Sequence, residues 1–293
     1  MLAPIVIFAF NRPDALRGMI DSLKRNPLYD ESEKFVFVDG PRNEAERVKV
    51  DEVVAVAREI TENVVAADSN RGLGLSIIAG VSDIINRYGR AIVLEDDLVL
   101  MPGFLQYMNQ ALDAYQADER IFAVCGYGLK IKRPAGYVGD VYLCNRASSW
   151  GWATWADRWN SVDWNVSDWE QLQADRRMQR AFNRGGSDMY GMLRGYMEGR
   201  NKSWAIRFCY SQFRQGRYSV HPFRSLVEND GFGDGATNCR QKYSRFKTCV
   251  SDSLEPLVLP EEIEPAESLI KDSANYHSLA RRIYSRLRRI LDI

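Results

Sequence analysis

Three adjacent carboxylates, Glu95, Asp96 and Asp97, follow an apolar run of strand length at residues 91–94, and the chain turns apolar again at residues 98–100. Adjacent acids repel one another, so such a cluster does not stabilise a fold by itself. Hard divalent cations such as Mg²⁺ and Mn²⁺ prefer carboxylate oxygens as ligands. The triplet therefore predicts a divalent-cation site, while a solvated turn after a buried strand is the simpler interpretation of the same residues.

Other candidate ligand-binding residues follow predicted strands in the same way. In an open α/β sheet, ligands bind beyond the carboxyl ends of the strands, so residues that follow different parallel strands meet at one edge. Topology alone therefore predicts that these residues surround a single ligand together with the acidic triplet. They are Phe10, Asn11, Arg12, Asp39, Asn70 and Arg71.

The elements that position these residues alternate between strand and helix over the first hundred residues. Strands that are apolar throughout and separated by helices are typical of a parallel sheet covered on both faces. The fold class is thus α/β, with a mostly parallel central sheet flanked by helices. The predicted strands are residues 5–10, 35–38, 63–67 and 91–94, and the predicted helices begin at Pro13, Glu44 and Leu75 and end near residues 23, 62 and 88.

Composition limits the classes of function. Lysine plus arginine equals aspartate plus glutamate at 39 each among 293 residues, so no overall field indicates a nucleic-acid partner. With only two histidines, any metal site must be built on carboxylates. Five cysteines without zinc spacing favour a reducing, cytoplasmic compartment. The chain is expected to begin with a strand rather than a signal peptide, and no apolar run in it reaches the length of a membrane span.

The second half of the chain is marked by aromatic residues. Six of the seven tryptophans lie within residues 150–169. Because aromatic side chains contribute the largest burial energies, most of them are expected to pack in a core or a lid, and one or two to stack on a sugar. Residues 228–238 are acidic and glycine-rich, which predicts a flexible loop that could serve as a lid.

Residues 276–293 predict a basic amphipathic helix. One face carries Leu279, Ile283, Leu287, Ile290 and Leu291, and the other carries Arg281, Arg282, Arg286, Arg288 and Arg289. A helix of this kind can lie on an anionic membrane surface, such as the inner face of the cell membrane. A terminal helix docked on the body, or a helical contact between copies, are the alternatives.

Four short segments, in order and spacing, resemble those of GT-A fold glycosyltransferases. More narrowly, they resemble bacterial relatives of the N-acetylglucosaminyltransferase I type, whose metal motif is Glu-Asp-Asp. The likeness covers about residues 3–235 and implies a nucleotide-sugar-binding half at residues 1–125 and an acceptor-binding, catalytic half of the same domain at 126–260. Residues 261–293 are predicted to form an amphipathic helical tail on their own pattern. The segments are Phe10-Asn11-Arg12-Pro13, Val38-Asp39-Gly40-Pro41, Asn70-Arg71-Gly72-Leu73-Gly74 and Glu95-Asp96-Asp97.

The resemblance implies a role for each acid of the triplet. Asp97 is expected to bind Mn²⁺ or Mg²⁺ directly, and the cation neutralises the leaving nucleotide diphosphate as a Lewis acid. Asp96 is expected to reach the ribose or a metal-bound water, and Glu95 to orient the transferred sugar or support the site from behind. A histidine late in the fold completes the metal shell in many relatives; His221 is the candidate here, although a packed histidine bonded to the backbone is the commoner case.

The resemblance also implies nucleotide contacts. Asp39 is expected to accept a hydrogen bond from the base, as fits a uracil imide, or else only to shape the turn before Gly40. Asn11 and Arg12 are expected to border the nucleotide, and Arg71 to counter phosphate charge with its paired donors, unless it is simply a surface residue.

Inversion at the anomeric carbon, which the resemblance implies, needs one general base for the acceptor hydroxyl. Asp188 is the best match by position, with Asp175 and Asp168 as weaker candidates. The alternative for Asp188 is an exposed helix N-cap, because Asp favours that position.

The sequence therefore predicts a metal-dependent, inverting hexosyl- or N-acetylhexosaminyl-transferase. Its donor is expected to be a UDP-sugar, and its acceptor a glycan or lipid-linked molecule in surface polysaccharide or glycolipid assembly. Two alternatives stay open. A sugar-nucleotide pyrophosphorylase needs a glycine-rich basic loop after the first strand, which residues 10–18 lack. A non-catalytic carbohydrate-binding protein could use the tryptophans but has no need of the acids.

Overall fold

The computed structural model describes residues 1–229, 246, 248, 250 and 253–291. Within this part of the chain, eight strands form one mixed sheet and two short strands form a separate ribbon. The strands are β1 (Ile5–Ala9), β2 (Lys34–Val38), β3 (Val64–Ala66), β4 (Arg90–Glu95), β5 (Leu98–Leu100), β6 (Ile121–Cys125), β7 (Val141–Cys144), β8 (Trp152–Trp155), β9 (Tyr218–Pro222) and β10 (Val227–Asn229).

Helices cover both faces of this sheet. Alternate residues of β1 point into different layers: Ile5 and Ile7 pack with the first two helices, whereas Val6 and Phe8 pack with the third. The helices are α1 (Pro13–Lys24), α2 (Glu44–Arg58), α3 (Leu73–Tyr88), α4 (Phe104–Ala114), α5 (Ala156–Asn160), α6 (Trp169–Ala174), α7 (Arg176–Phe182), α8 (Met189–Met197), α9 (Trp204–Arg214), α10 (Glu267–Tyr276) and α11 (Leu279–Leu291). The predicted α/β class is confirmed.

The sheet order is β3-β2-β1-β4-β8-β6-β9-β7. Strands β3, β2, β1 and β4 are mutually parallel, as the alternating pattern predicts. Strand β8 then lies antiparallel between β4 and β6, and β7 lies antiparallel to β9. Four of the seven neighbouring pairs are therefore parallel, and the sheet is more mixed than the sequence suggests.

Two helix boundaries differ from the sequence expectation for local reasons. Helix α2 ends at Arg58 rather than near residue 62, because the Thr61 hydroxyl donates to the Lys34 carbonyl and ties the chain to β2. Helix α3 begins at Leu73, directly after Gly72, whose φ of 82° is readily adopted only by glycine.

This topology gathers the carboxyl ends of β1, β2, β3 and β4 at one edge, where the candidate residues follow them. Strand β6 runs in the same direction as β4, because both are antiparallel to β8. Immediately after the acids, β5 pairs with β10, so Asn229 lies opposite Leu98. The ribbon thereby brings a late segment of the chain back to the acidic triplet.

The tryptophan-rich segment is largely core. Trp152, Trp155 and Trp159 are buried, and the first and last of these stack with centroids 5.7 Å apart. Three described cysteines, Cys125, Cys144 and Cys209, are buried free thiols. Among the described residues, no helix is both long and apolar enough to cross a membrane. The predicted acidic loop at residues 228–238 lies outside the described residues beyond Asn229.

Candidate functional site

The acidic triplet stands at the end of β4, which finishes at Glu95. Asp96 is buried with 3% of its surface exposed, while Glu95 and Asp97 are half-buried. Arg12, the residue before α1, forms ion pairs with both aspartates: it donates to Asp96 and, from each terminal nitrogen, to Asp97 Oδ2 at 3.2 Å. One guanidinium thus faces three carboxylates.

The excess of negative charge at this position, together with burial, raises the pKa values of two of the acids. Burial, followed by the charges of Asp97 and Asp96, raises the pKa of Glu95 to about 8. Burial also raises the pKa of Asp96 to about 6, although the Arg12 charge opposes this effect. Both shifts arise because buried negative charges lack compensation. A bound cation would supply the missing positive charge.

The side chains fit a cation that is held only in part by protein. Asp96 Oδ2 is buried and has no hydrogen-bond partner among the described residues. An orphaned carboxylate oxygen of this kind is costly unless a ligand satisfies it. Within the same residues, however, no group of three or more His, Cys, Asp or Glu side chains converges on one metal position. A cation bound here would therefore take further ligands from a substrate or water.

Asn229 is a member of this cluster that the sequence did not indicate. Its side-chain nitrogen donates to Asp97 Oδ1 at 3.0 Å, so Asp97 is held between Asn229 and Arg12. The contact depends on the pairing of β10 with β5, and these strands are more than a hundred residues apart in sequence. Local sequence patterns do not predict the pairing of strands so far apart in the chain.

Asp39, which follows β2, organises the neighbouring loop. Oδ1 accepts from the amides of Gly40 at 3.0 Å and Arg71 at 2.8 Å. Oδ2 accepts from the Asn70 side chain at 3.0 Å and the Gly72 amide at 2.9 Å. Four donors fill the acceptor positions of one carboxylate. The observed role of Asp39 is therefore to hold the loop after β3, and contact with a nucleotide base would require one of these bonds to give way.

The remaining residues of this edge face α2. The Asn11 side chain donates to Glu46 Oε1 at 3.4 Å, and the Arg42 guanidinium lies 5.0 Å from the centre of the Phe10 ring. Arg42 and Glu46, which the sequence did not single out, thus border Phe10 and Asn11. Arg71 exposes its side chain to solvent at the same edge. An exposed guanidinium at this position is available to an anionic ligand.

Asp188 is not an exposed helix cap. It occupies the N-cap position of α8 but makes no capping bond with its side chain, and it is buried. Arg146 donates to its Oδ1 at 2.8 Å. The two weaker candidates have structural partners instead: Asp175 caps α7 through the amides of Arg177 and Met178, and Asp168 accepts from the Tyr210 hydroxyl and pairs with Arg214.

An aromatic cavity of about 210 Å³ is lined by residues of the second half of the chain. The pairing of β4 with β8 ends at Val93 and Trp152, and Trp150 lies two residues before β8 begins. The walls include Trp150 and Tyr127, whose rings meet edge to face with centroids 4.8 Å apart. Arg146, the partner of Asp188, also lines it. Aromatic faces with a few polar groups are typical of ligand sites.

His221 forms another wall of this cavity but is fully engaged. Nδ1 lies 2.9 Å from the Tyr127 carbonyl oxygen, and Nε2 lies 2.9 Å from the Arg146 carbonyl oxygen. Neither ring nitrogen is open to a cation in this conformation. The expectation of a packed histidine bonded to the backbone describes it, and among the described residues it belongs to no group of three potential metal ligands.

No protein-family model matches the chain, and no curated protein matches it. Among solved structures, S. aureus TarS 1–349 matches with 10% identity and a TM-score of 0.47, over 79% of this chain and 61% of that one. A second S. aureus TarS structure matches with 10% identity and a TM-score of 0.45, over 78% and 36% respectively. The mannosyltransferase PcManGT from Pyrobaculum calidifontis, in complex with GDP-Man and Mn²⁺, matches with 11% identity and a TM-score of 0.37, over 74% and 70%. This chain spans less than two thirds of the length of either TarS chain.

Proposed function

We propose that this protein is a metal-dependent, inverting glycosyltransferase that takes its sugar from a nucleotide-sugar, with a UDP-sugar as the first candidate. One observation carries the proposal: three carboxylates with uncompensated charge, including an orphaned Asp96 oxygen, stand at the carboxyl end of a parallel strand. That is where ligands bind in open α/β sheets. The four-segment resemblance to GT-A enzymes supports the same assignment.

In this proposal the acids hold a cation together with the donor. Asp97 is the direct ligand of Mn²⁺ or Mg²⁺, and Asp96 contacts the ribose or a metal-bound water. When bound, the cation neutralises the diphosphate leaving group. Arg12, now paired with both aspartates, and the exposed Arg71 border the phosphates. Glu95 supports the transferred sugar, and the cavity at Trp150 is proposed to lie on the acceptor side of that sugar.

The nucleoside is proposed to lie over Phe10 and Asn11 next to the loop that Asp39 holds. The four bonds of Asp39 keep the loop containing Asn70 and Arg71 in place, so its contribution to donor binding is largely positional. A direct hydrogen bond between the base and Asp39 would require one of the four donors of the loop to be released.

The aromatic cavity is the proposed position of the acceptor. Apolar sugar faces stack on aromatic rings, which Trp150 and Tyr127 offer here. Asp188 is the proposed general base. Its contact with Arg146 uses Oδ1, which leaves Oδ2 to take the proton of the attacking hydroxyl. Hexosyl or N-acetylhexosaminyl transfer to a glycan or lipid-linked acceptor is the finer form of the proposal, and the buried free thiols suit a cytoplasmic enzyme.

Both alternatives fit the structure less well. Only three residues separate the end of β1 at Ala9 from the start of α1 at Pro13, which leaves no room for the glycine-rich triphosphate loop of a pyrophosphorylase. A carbohydrate-binding protein would have no use for the clustered acids, whose pKa values are raised chiefly by burial.

The test is calorimetric titration of UDP into the purified protein, with and without Mn²⁺. We expect binding that requires Mn²⁺ and that Asp97→Asn loses, while the exposed Asp21→Asn on α1 leaves it unchanged. Binding that ignores both Mn²⁺ and Asp97 would overturn the proposal. If UDP does not bind, GDP and CMP decide whether another nucleotide is the donor. No binding of any of the three, with binding of free glycans, would favour the carbohydrate-binding alternative.

The role of Asp188 has its own test. Asp188→Asn should lower the rate of transfer at least about a hundredfold, the usual contribution of a general base, and leave UDP affinity intact. Full transfer activity in this variant would remove Asp188 from the mechanism.

A further inference from the structure

Helix α11 presents its apolar face to solvent. Four large apolar side chains on this helix are half exposed or more: Leu279 at 56%, Ile283 at 50%, Tyr284 at 57% and Leu287 at 52%. A surface helix of a globular protein ordinarily turns such a face toward the core. Among the described residues, the apolar face of α11 is therefore not buried against the rest of the protein.

The opposite side of the same helix rests on the protein. Ser285 is buried with 5% of its surface exposed, and Ser278 and Arg282 on the same side are half-buried. The helix is thus attached through polar residues and displays its apolar residues outward. Among the described residues, the helix therefore contacts the body through its polar side and not through its apolar face.

Arginines border the exposed apolar face on both sides. At 3.6 residues per turn, the positions from Leu279 to Tyr284 span an arc of about 140°. Arg286 falls at one border of this arc, and Arg281 and Arg288 fall at the other; Arg281 and Arg286 are exposed. An apolar strip between two cationic borders matches a surface that is apolar inside and anionic at its rim.

We propose that α11 binds the surface of an anionic phospholipid bilayer. The apolar residues would enter the acyl region, and the arginine stems would extend to the phosphates. A second copy of this chain is a poorer occupant. Two such helices placed face to face would bring their arginine borders together and repel each other, whereas anionic headgroups neutralise them.

The site and this surface are adjacent in the chain. His277 lines the aromatic cavity, its carbonyl accepts from the Ser187 hydroxyl at 3.2 Å, and α11 begins two residues later. A bilayer on α11 would therefore lie near the cavity. This last step rests on the proposed function, and it makes a membrane-embedded, lipid-linked molecule the acceptor.

The experiment is flotation of the full chain with vesicles of phosphatidylcholine alone and of phosphatidylcholine with one third phosphatidylglycerol. We expect flotation with the anionic vesicles, a much weaker response with neutral ones, and a decline with added salt. Ile283→Ser combined with Leu287→Ser should reduce the partition coefficient at least tenfold. Leu254→Ser combined with Val258→Ser, two apolar residues equally exposed elsewhere, should not. Arg281→Gln with Arg286→Gln should remove the preference for anionic lipid.

Three results would overturn the proposal. They are an absence of flotation with anionic vesicles, flotation that the Ile283 and Leu287 substitutions leave unchanged, and a lipid-free dimer that the same substitutions dissociate. The last would make a second copy the occupant. Because flotation requires neither UDP nor Mn²⁺, its outcome is independent of the calorimetric test of the proposed function.

Discussion

At the scale of single residues, the site is defined by an excess of negative charge, because three carboxylates face one arginine. Arg12 is the only cation bonded to the triplet among the described residues, and it forms ion pairs with Asp96 and Asp97 but not with Glu95. Burial prevents water from compensating the remainder, so the pKa values of Glu95 and Asp96 rise. Without a bound cation, these charges therefore cost stability at neutral pH, and that cost can be measured without knowledge of the substrate.

The first prediction concerns the pH dependence of stability. The pKa of Glu95 is about 8 in the folded protein, far above its ordinary value. The folded state thus binds this proton more tightly than the unfolded state, so the contribution of Glu95 is fully present below about pH 4 and is lost as pH rises through about 8. Glu95→Gln removes this titration. Relative to the parent, we expect the variant to gain about 1 kcal/mol or more between about pH 5 and about pH 9.

Urea unfolding without divalent cations measures this difference. The exposed Glu62→Gln, which removes a glutamate remote from the triplet, should run parallel to the parent at every pH. If the Glu95→Gln curve also ran parallel, the carboxylate would be compensated in solution by a group other than Arg12, and the electrostatic argument for a cation would fail.

A second prediction separates the two roles of Asp39. Asp39→Asn keeps the shape of the side chain but turns one acceptor into a donor, which then faces two donors of the loop. We expect a loss of about 2–4 kcal/mol in the free energy of unfolding, because charged hydrogen bonds are lost and donors are left unpaired. Asp68→Asn, an exposed neighbour, is the control. Unchanged stability with weakened UDP binding would instead favour the base contact.

At the scale of elements, the sequence predicted what depends on neighbours in the chain. The strands at residues 5–10, 35–38 and 91–94 and the intervening helices follow local periodicity, and they were found within a few residues. Strand β8 lies inside the tryptophan-rich segment and was not predicted, because its place beside β4 is decided by partners about sixty residues away. The same limit hid Asn229 and Arg146, which reach Asp97 and Asp188 only through folding.

Two helical glycines give a prediction at this scale. A Cβ at Gly80 in α3 would lie 2.9 Å from the Phe8 ring and 3.0 Å from that of Phe37, so the helix needs glycine to approach the sheet. Gly80→Ala should therefore destabilise the protein by about 1–3 kcal/mol through overpacking. A Cβ at Gly191 in α8 would meet nothing within 4 Å. There Gly191→Ala should stabilise by about 0.5–1 kcal/mol, because alanine favours the helix.

Thermal and urea unfolding of both variants measure these changes. The pair is matched in chemistry and differs in packing, so changes of the same sign in both would contradict the close contact of α3 with β1 and β2. That contact sets where Gly72 and the loop held by Asp39 lie, and it connects the packing of the element to the site.

At the scale of the whole molecule, the two proposed halves share one sheet and one core. Strand β8 of the second half lies between β4 and β6 of the first. On the face of this sheet that α3 covers, Trp152, Trp159 and Trp204 pack in the same hydrophobic cluster as Val6 and Phe8. Residues 1–125 and 126–260 are therefore expected to depend on each other for stability and to unfold together, as halves of one domain rather than as two.

All seven tryptophans lie at or after residue 150, so tryptophan fluorescence is emitted only from the second half. The exchange of backbone amides in β1 and β2, followed by mass spectrometry, reports on the first. If the sheet unfolds as one unit, both probes should give the same urea midpoint, as two-state behaviour requires.

A sharper test of this coupling uses the substitution Asp39→Asn, which acts in the first half. It should shift the tryptophan midpoint as far as the exchange midpoint, because a destabilised first half removes the partner of β8. A tryptophan midpoint that stays in place while the exchange midpoint falls would show that the halves unfold separately, and that β4 and β8 are not coupled in solution.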